Sequence, residues 1–359
     1  MSRIVAHKHA LGAVLHTGAG KGHHGNPVAA VKLDLTYGVP VLFSGLASLV
    51  LTRAEVDVID QHVKITVENL LRLHPGTPRA VIAFLSGTLP GMAQLHIRQL
   101  SLFSMITRHP NNILNRHAKS SYTTSKPSEK SWFTRIRELC LTYNLPHPTL
   151  LLENPLPKST FKTLVRGKVI DYWEAKLRDE AAALPSLNYF NPNYMSLAKP
   201  HPLLLTASSS PYEVIKATVQ AKMLSGRYRT ERLCRYWSQN TGGFCLVHTC
   251  KNLGISEDLP HILSNCPGLD KIRKTLTIFT TTKSSGLPSE VKEFVRLYTM
   301  SHHPLFVHFL LDCSQFPEVI ASTQKYGPEI LPKVFHITRT WCYSLHRERL
   351  KLLNRWKNF

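Results

Sequence analysis

Thr52-Arg-Ala-Glu-Val-Asp-Val-Ile-Asp-Gln-His-Val-Lys-Ile-Thr-Val-Glu-Asn-Leu70 opens with a capping box and continues as a single apolar stripe. Val56, Ile59, Val63, Val67 and Leu70 recur at steps of three and four, the period of a helix with one buried face. The spacing predicts a helix that ends near His74-Pro75. Gly87-Thr-Leu-Pro90-Gly91 is a break, and residues 92–107 read as a second helix, apolar over much of its circumference and so well buried. The two helices pack as a small helical unit, and the chain as a whole reads as mainly α.

Outward from that unit the signals alternate between helix and connection. Residues 18–25, Gly-Ala-Gly-Lys-Gly-His-His-Gly, do not fit the Walker A spacing and read as a flexible connection. Residues 109–131 are polar and read as a linker; residues 132–184 carry short helical patterns broken by Pro146, Pro148, Pro155 and Pro157. Residues 188–209 read as another connection. Ser210-Pro211-Tyr-Glu213 is a second capping box, opening a helix to about Leu224. Residues 275–290, rich in Thr, Ser and Lys, read as loosely ordered. The last seventy or so residues read as helical, with Ile337, Trp341, Leu345 and Leu352 along one side of the final segment.

The chain has 359 residues, 44 Lys+Arg and 23 Asp+Glu, for a formal charge of +21, and 19 histidines besides. An excess of that size points to polyanionic partners, nucleic acid first among them. Of the seven cysteines, three fall in one short pattern and Cys140, Cys234, Cys313 and Cys342 are scattered, which does not read as a secreted disulfide framework and suits a reducing compartment, cytoplasm or nucleus. The first residues show no apolar signal segment, and the longest apolar run, residues 39–51, is too short to span a bilayer and reads as buried core.

Cys245-Leu-Val-His-Thr-Cys250 and His261-Ile-Leu-Ser-Asn-Cys266 give the spacing C-x4-C-x10-H-x4-C. Two short-range pairs of thiolate and imidazole around a loop suit a tetrahedral Zn2+ site, and four ligands make it structural, because a catalytic site keeps a position open for water. Asp258 caps a short helix that carries His261 and ends before Cys266. His248 is an alternative ligand: a Cys245-x2-His248 pair would leave Cys250 free.

Just before this pattern, Lys222, Arg227, Arg229, Arg232 and Arg235 are interleaved with Tyr228, Tyr236 and Trp237. Cations contact phosphates and aromatic faces stack on unpaired bases, so Lys222, Arg227, Tyr228, Arg229, Arg232, Arg235 and Trp237 are the candidate nucleic-acid contacts. The competing reading packs Tyr236 and Trp237 under the metal site and leaves the arginines in water. The final helix carries Lys333, Arg339, Arg347, Arg349, Lys351, Arg355 and Lys357, and reads as an amphipathic element docked on its own domain. Catalysis is not expected. The chain has no Asp-Asp pair to hold two metal ions and no G-x-S-x-G nucleophile elbow.

The run from Lys222 through Trp237-Ser, Phe244-Cys245, Cys250 and Glu257-Asp-Leu-Pro-His261-Ile-Leu-Ser-Asn-Cys266-Pro-Gly-Leu resembles the C-terminal part of non-LTR, LINE-type retrotransposon reverse transcriptases. In that family a CCHC zinc-knuckle-like motif follows the polymerase thumb. Leu51-Thr-Arg-Ala-Glu55, Leu85-Ser-Gly-Thr-Leu-Pro90 and Arg98-Gln-Leu-Ser-Leu102 are similar, more loosely, to its thumb and connection, and Thr338-Arg-Thr-Trp341-Cys-Tyr-Ser-Leu-His-Arg347 to its tails. The fingers and the palm with its paired aspartates are absent. The resemblance therefore implies a truncated element product, or a host gene derived from one, without polymerase active-site residues. It also implies that Cys245, Cys250, His261 and Cys266 engage template RNA or target DNA.

The expected organisation is a thumb-like helical region (1–108), linkers with short helices (109–209), a basic helix with the zinc segment (210–285), and a C-terminal basic helical region (286–359). The expected activity is non-enzymatic RNA or DNA binding, without a membrane or a small-molecule substrate. A protein-interaction scaffold with a protein partner, and a decayed, partly folded fragment, are the alternatives.

Overall fold

The computed structural model describes residues 2–14, 25–124, 131–207, 210–237 and 242–357, so the glycine-rich stretch 18–24 lies outside the described residues. Helix α1 (Ser2–Val14) is followed by α2 (Pro27–Leu33), which starts on proline and is capped by Asn26, whose Oδ1 accepts from the Val28 N–H at 2.9 Å. A π-type turn, Asp34–Gly38, leads into α3 (Val39–Phe43). Only the first half of the apolar run is core: Val39, Leu42 and Phe43 are buried, while Leu49 and Val50 are half exposed.

Helix α4 (Arg53–Leu70) forms the capping box its sequence encodes. The Glu55 N–H donates to Thr52 Oγ1 at 3.3 Å, and the Thr52 N–H donates to Glu55 Oε2 at 2.8 Å. Val56, Ile59, Val63 and Val67 are buried, as the stripe requires. Asp60 is buried among them and holds the next two helices. Its Oδ2 pairs with Arg79 at 2.8 Å at the start of α5 (Arg79–Ser86), and its Oδ1 accepts from the Met92 N–H at 2.9 Å in α6 (Gly91–Thr107). Helix α5 has every residue but Arg79 buried. After it, Gly87 has φ +67°, and a Cβ there would lie 2.2 Å from the Lys199 carbonyl carbon, so only glycine fits both the turn and the approach.

The polar stretch expected to be a linker contains α7 (Ile113–Thr124) instead. Three positions on one face suffice to dock it. Ala118 and Tyr122 are buried, and buried Asn115 donates to the Ile106 carbonyl at 3.0 Å. Helices α8 (Trp132–Thr142) and α9 (Pro148–Glu153) are short, as expected, but α10 (Lys158–Ala182) runs for 25 residues. It buries Phe161, Val165, Val169, Trp173, Leu177 and Ala181 against α5 and α6. Its stripe is one residue wide on a mostly polar cylinder, which is why the proline punctuation dominated the sequence signal.

The second half is assembled around the last helix. In order come α11 (Pro202–Leu205), α12 (Pro211–Leu224), α13 (Glu231–Trp237), α14 (His248–Asn252), α15 (Asp270–Ser284), α16 (Ser289–Tyr298), α17 (Phe306–Leu311), α18 (Pro317–Tyr326) and α19 (Ile330–Lys357). Helix α19 packs on α12, α15, α17 and α18, with Ile337, Trp341 and Leu345 buried. Helix α15 overturns the loosely ordered reading of 275–290. Thr275, Thr277, Thr280, Thr281 and Thr282 each donate their hydroxyl to the carbonyl four residues back, so the threonine run satisfies itself inside a helix. Among the described residues no single helix is long and apolar enough to cross a membrane.

The second capping box does not form: Ser210 makes no side-chain cap. Glu213 turns instead to Lys216 on its own helix at 2.7 Å and to His336 at 3.1 Å and Arg339 at 3.2 Å on α19, and so ties α12 to α19. Burial alone would raise its carboxyl. The hydrogen bonds from His336 and Lys216 and the charge of Arg339 outweigh burial and bring it down to about 2, from an ordinary 4.5. A carboxyl depressed by folding stabilises above its unfolded pKa and loses that contribution as pH falls through the folded value. Relative to Glu213→Gln, the wild type should therefore hold a constant stability advantage above about pH 5 that disappears towards about pH 2, read as the difference in urea midpoint across that range.

Candidate metal centre and the basic cleft beside it

The metal segment starts from a turn that only glycine permits. Gly226 has φ +67°, and a Cβ on it would stand 2.2 Å from the Ser186 carbonyl oxygen. The turn drives Tyr228 inward, and the Thr230 hydroxyl accepts from the Leu233 N–H at 3.1 Å at the start of α13. A short antiparallel pairing follows. The Cys245 N–H donates to the Ile255 carbonyl at 2.9 Å and the Glu257 N–H donates to the Gly243 carbonyl at 3.1 Å. Cys245 thereby sits on one arm, and α14 returns to bring Cys250 beside it. Asp258 Oδ1 accepts from the His261 N–H at 2.9 Å, and a π-type turn, His261–Asn265, ends at Cys266, whose N–H donates to the His261 carbonyl at 2.7 Å. The expected short helix is thus present, wound one residue wider than an α-turn. Arg273 donates to the Cys266 carbonyl and pairs with Asp270.

These turns bring together the four residues of the C-x4-C-x10-H-x4-C pattern. Cys245, Cys250, His261 and Cys266 are all buried, with one ligand atom from each lying within 4.8 Å of the others. The Cys245 and Cys266 sulfurs are 3.7 Å apart. A tetrahedral ion with thiolate bonds of about 2.3 Å separates its sulfurs by about 3.8 Å, whereas a disulfide needs about 2.05 Å. His261 Nε2 is buried without a hydrogen-bond partner, as a nitrogen kept for a metal would be. The cluster can therefore hold a metal ion. The hydrogen bond to Cys266 and burial push Cys245 up to about 12, while the same bond lowers Cys266. His248, the alternative ligand, is exposed and hydrogen-bonded to Asn252 at 3.1 Å, outside the cluster.

The interleaved basic stretch divides. Tyr228 is 5% exposed, donates or accepts at His346 Nδ1 at 2.7 Å, and lies under the Arg349 guanidinium, so its ring is core rather than a stacking platform. Arg232 is exposed and already faces Asp258 at 3.4 Å. Arg227 is half-buried, and its Nε is buried without a partner. Lys222 is half-buried and Arg229 exposed. The side chains of Arg235, Tyr236 and Trp237 lie outside the described residues.

Three residues that the sequence reading missed join Lys222 and Arg229: Arg72 and His74, just past α4, and His346 on α19. Burial, then Lys222 and Arg229, bring His74 down to about 4; burial, then Arg349, Lys222 and His74, bring His346 down to about 4. Burial and the nearby Arg72 lower the Lys222 ammonium. Arg72, Lys222 and Arg229 therefore lie close to the two imidazoles, whose pKa values they and burial depress, and form a cluster of positive charge. No local sequence signal could find it, because its members come from three helices far apart in the chain.

Two arginines of the final helix are not surface charges. Arg339 is 1% exposed against Glu213, and Arg349 is 6% exposed in a two-pronged pair with Glu257, at 3.0 Å and 2.7 Å. Glu257 Oε2 also accepts from the Glu231 N–H at 2.7 Å, so this carboxylate joins α13, the metal segment and α19. Removing either member leaves the other charge buried and alone. Glu257→Gln and Arg349→Met should each cost about 3 kcal/mol or more of unfolding free energy, and the double variant should cost less than the sum, as measured by denaturant titration.

No known protein family, curated protein or solved structure matches the chain.

Proposed function

We propose that this chain is a non-catalytic nucleic-acid-binding protein whose contact region is braced by a structural zinc ion. The observation that carries the reading is the cluster in which Arg72, Lys222 and Arg229 lie near His74 and His346, while neither Lys222 nor Arg229 has an ion-pair partner among the described residues. A row of phosphates answers such a cluster, and the chain's formal charge of +21 supports long-range attraction to one. Zinc is the ion favoured by three thiolates and one imidazole in a closed tetrahedral set. Cys245, Cys250, His261 and Cys266 would hold it, and it would supply rigidity rather than chemistry. The resemblance to the post-thumb region of LINE-type reverse transcriptases agrees with this reading, and we propose that origin with it.

Fluorescence anisotropy with labelled single-stranded RNA and DNA across a salt series tests the reading. Affinity should fall steeply with salt, and Lys222→Ala/Arg229→Ala should flatten the log–log slope by about 1.4, or about 0.7 for each phosphate that is no longer neutralised. Salt-independent binding, or none, would leave a protein-interaction scaffold as the better reading. The metal has its own test. Purified protein should carry one zinc per chain, Cys245→Ser/Cys266→Ser should carry none, and chelation should lower the thermal midpoint of the parent but not of the double variant.

A further inference from the structure

Well away from the metal segment, a chain of three polar side chains joins α1 to α4. Asp34 Oδ1 lies 2.8 Å from His7 Nε2, and His7 Nδ1 lies 2.9 Å from His62 Nε2. His7 and Asp34 are each 1% exposed, while His62 is half-buried. The backbone makes room for the pair at Gly38, where a Cβ would stand 2.3 Å from Asp34 Oδ1 and 2.8 Å from His7 Nε2. His62 lies on the wall of a groove of about 550 Å³, together with Lys8, Thr66, Asn69 and, at the far end, Arg72, which also donates to the Gly25 carbonyl at 3.1 Å.

Proton counting fixes what His62 offers. A carboxylate only accepts, so His7 Nε2 carries a hydrogen. With His7 neutral, its Nδ1 accepts, His62 donates from Nε2, and His62 Nδ1 is a bare lone pair that makes no hydrogen bond among the described residues. One added proton reverses the second link. His7 then donates from both nitrogens, its charge set against Asp34, and His62 accepts at Nε2 and carries its hydrogen on Nδ1. We propose that this groove is a phosphate site that takes up one proton as it binds, with a phosphate oxygen accepting from His62 Nδ1–H beside the Lys8 ammonium.

The charged neighbours support that coupling from each packed element. Helix α1 contributes His7 and Lys8, the π-type turn contributes Asp34, the turn just past α4 contributes Arg72, and α2 lines the groove with Pro27 and Ala30 only. In the empty groove burial, then His7 and Lys8, hold His62 below its ordinary value against the opposing pull of Asp34. A bound anion offsets Lys8 and lets the proton in. Affinity therefore rises as pH falls, by about tenfold per unit at most for one proton.

The phosphate could belong to a free nucleotide or to a strand backbone, and the test separates them. The full chain is titrated with adenosine monophosphate and with a dinucleoside phosphodiester at about pH 6 and about pH 8, following the His62 ring nitrogens by NMR. The diester does not titrate in this range, so pH dependence in that arm belongs to the protein. We expect saturable His62 shifts, tighter at the lower pH and retained in Lys222→Ala/Arg229→Ala, which separates this site from the cluster around Lys222; in His62→Gln, followed at the neighbouring backbone amides, the pH dependence of binding should be lost. Shifts with the monophosphate alone identify a free nucleotide, and shifts with both identify a backbone phosphate. Undisturbed His62 resonances with both ligands, or equal affinity at the two pH values, would overturn the proposal.

Discussion

The carboxylate of Glu257 carries three obligations in a space without water. It meets both prongs of Arg349 and the first amide of α13, and its own N–H closes the short pairing at Gly243. Burying an ion pair is costly, and the cost is offset only when the remaining lone pairs are also bonded. Here they are, so the pair positions rather than merely attracts. Together with buried Ile262, Leu263 and Leu269, this group holds the metal segment on α19.

The same economy of acids recurs through the molecule. Asp34, Asp60, Glu68, Glu257 and Asp312 are all buried, each against a cation, an imidazole or a backbone amide. A chain with only 23 carboxylates has thus committed many of them to internal partners.

What the sequence displayed, and what it hid, follows from how local each cause is. The capping box at Thr52 and the stripe behind it are local, and α4 appears where they place it. The metal ligands are legible because coordination geometry demands fixed short spacings. Helix α15 was hidden because threonine reads as a poor helix former, while its hydroxyls can bond back to the preceding turn. Helix α7 was hidden because Asn115, Ala118 and Tyr122 are too few to register as a stripe. At Ser210 a correct local motif lost to a tertiary one: Glu213 serves Arg339 and His336 instead of its own cap. The cluster around Lys222 and the Asp34–His7–His62 chain are assembled from separated elements, and no window along the chain contains them.

The position of α19 in the order of elements bears on how the protein comes into being. It follows every helix that it organises, and both Glu213 and Glu257 wait for arginines on it. On a ribosome, α12, the metal segment, and helices α15 to α18 emerge before their shared partner does. In that interval Cys245, Cys250 and Cys266 stand without the scaffold that later encloses them. A thiol-rich nascent segment of this kind is exposed to mispairing and oxidation, and early capture of an ion would protect it. A metal ion held by this cluster would then guard the segment during synthesis as well as brace the finished fold.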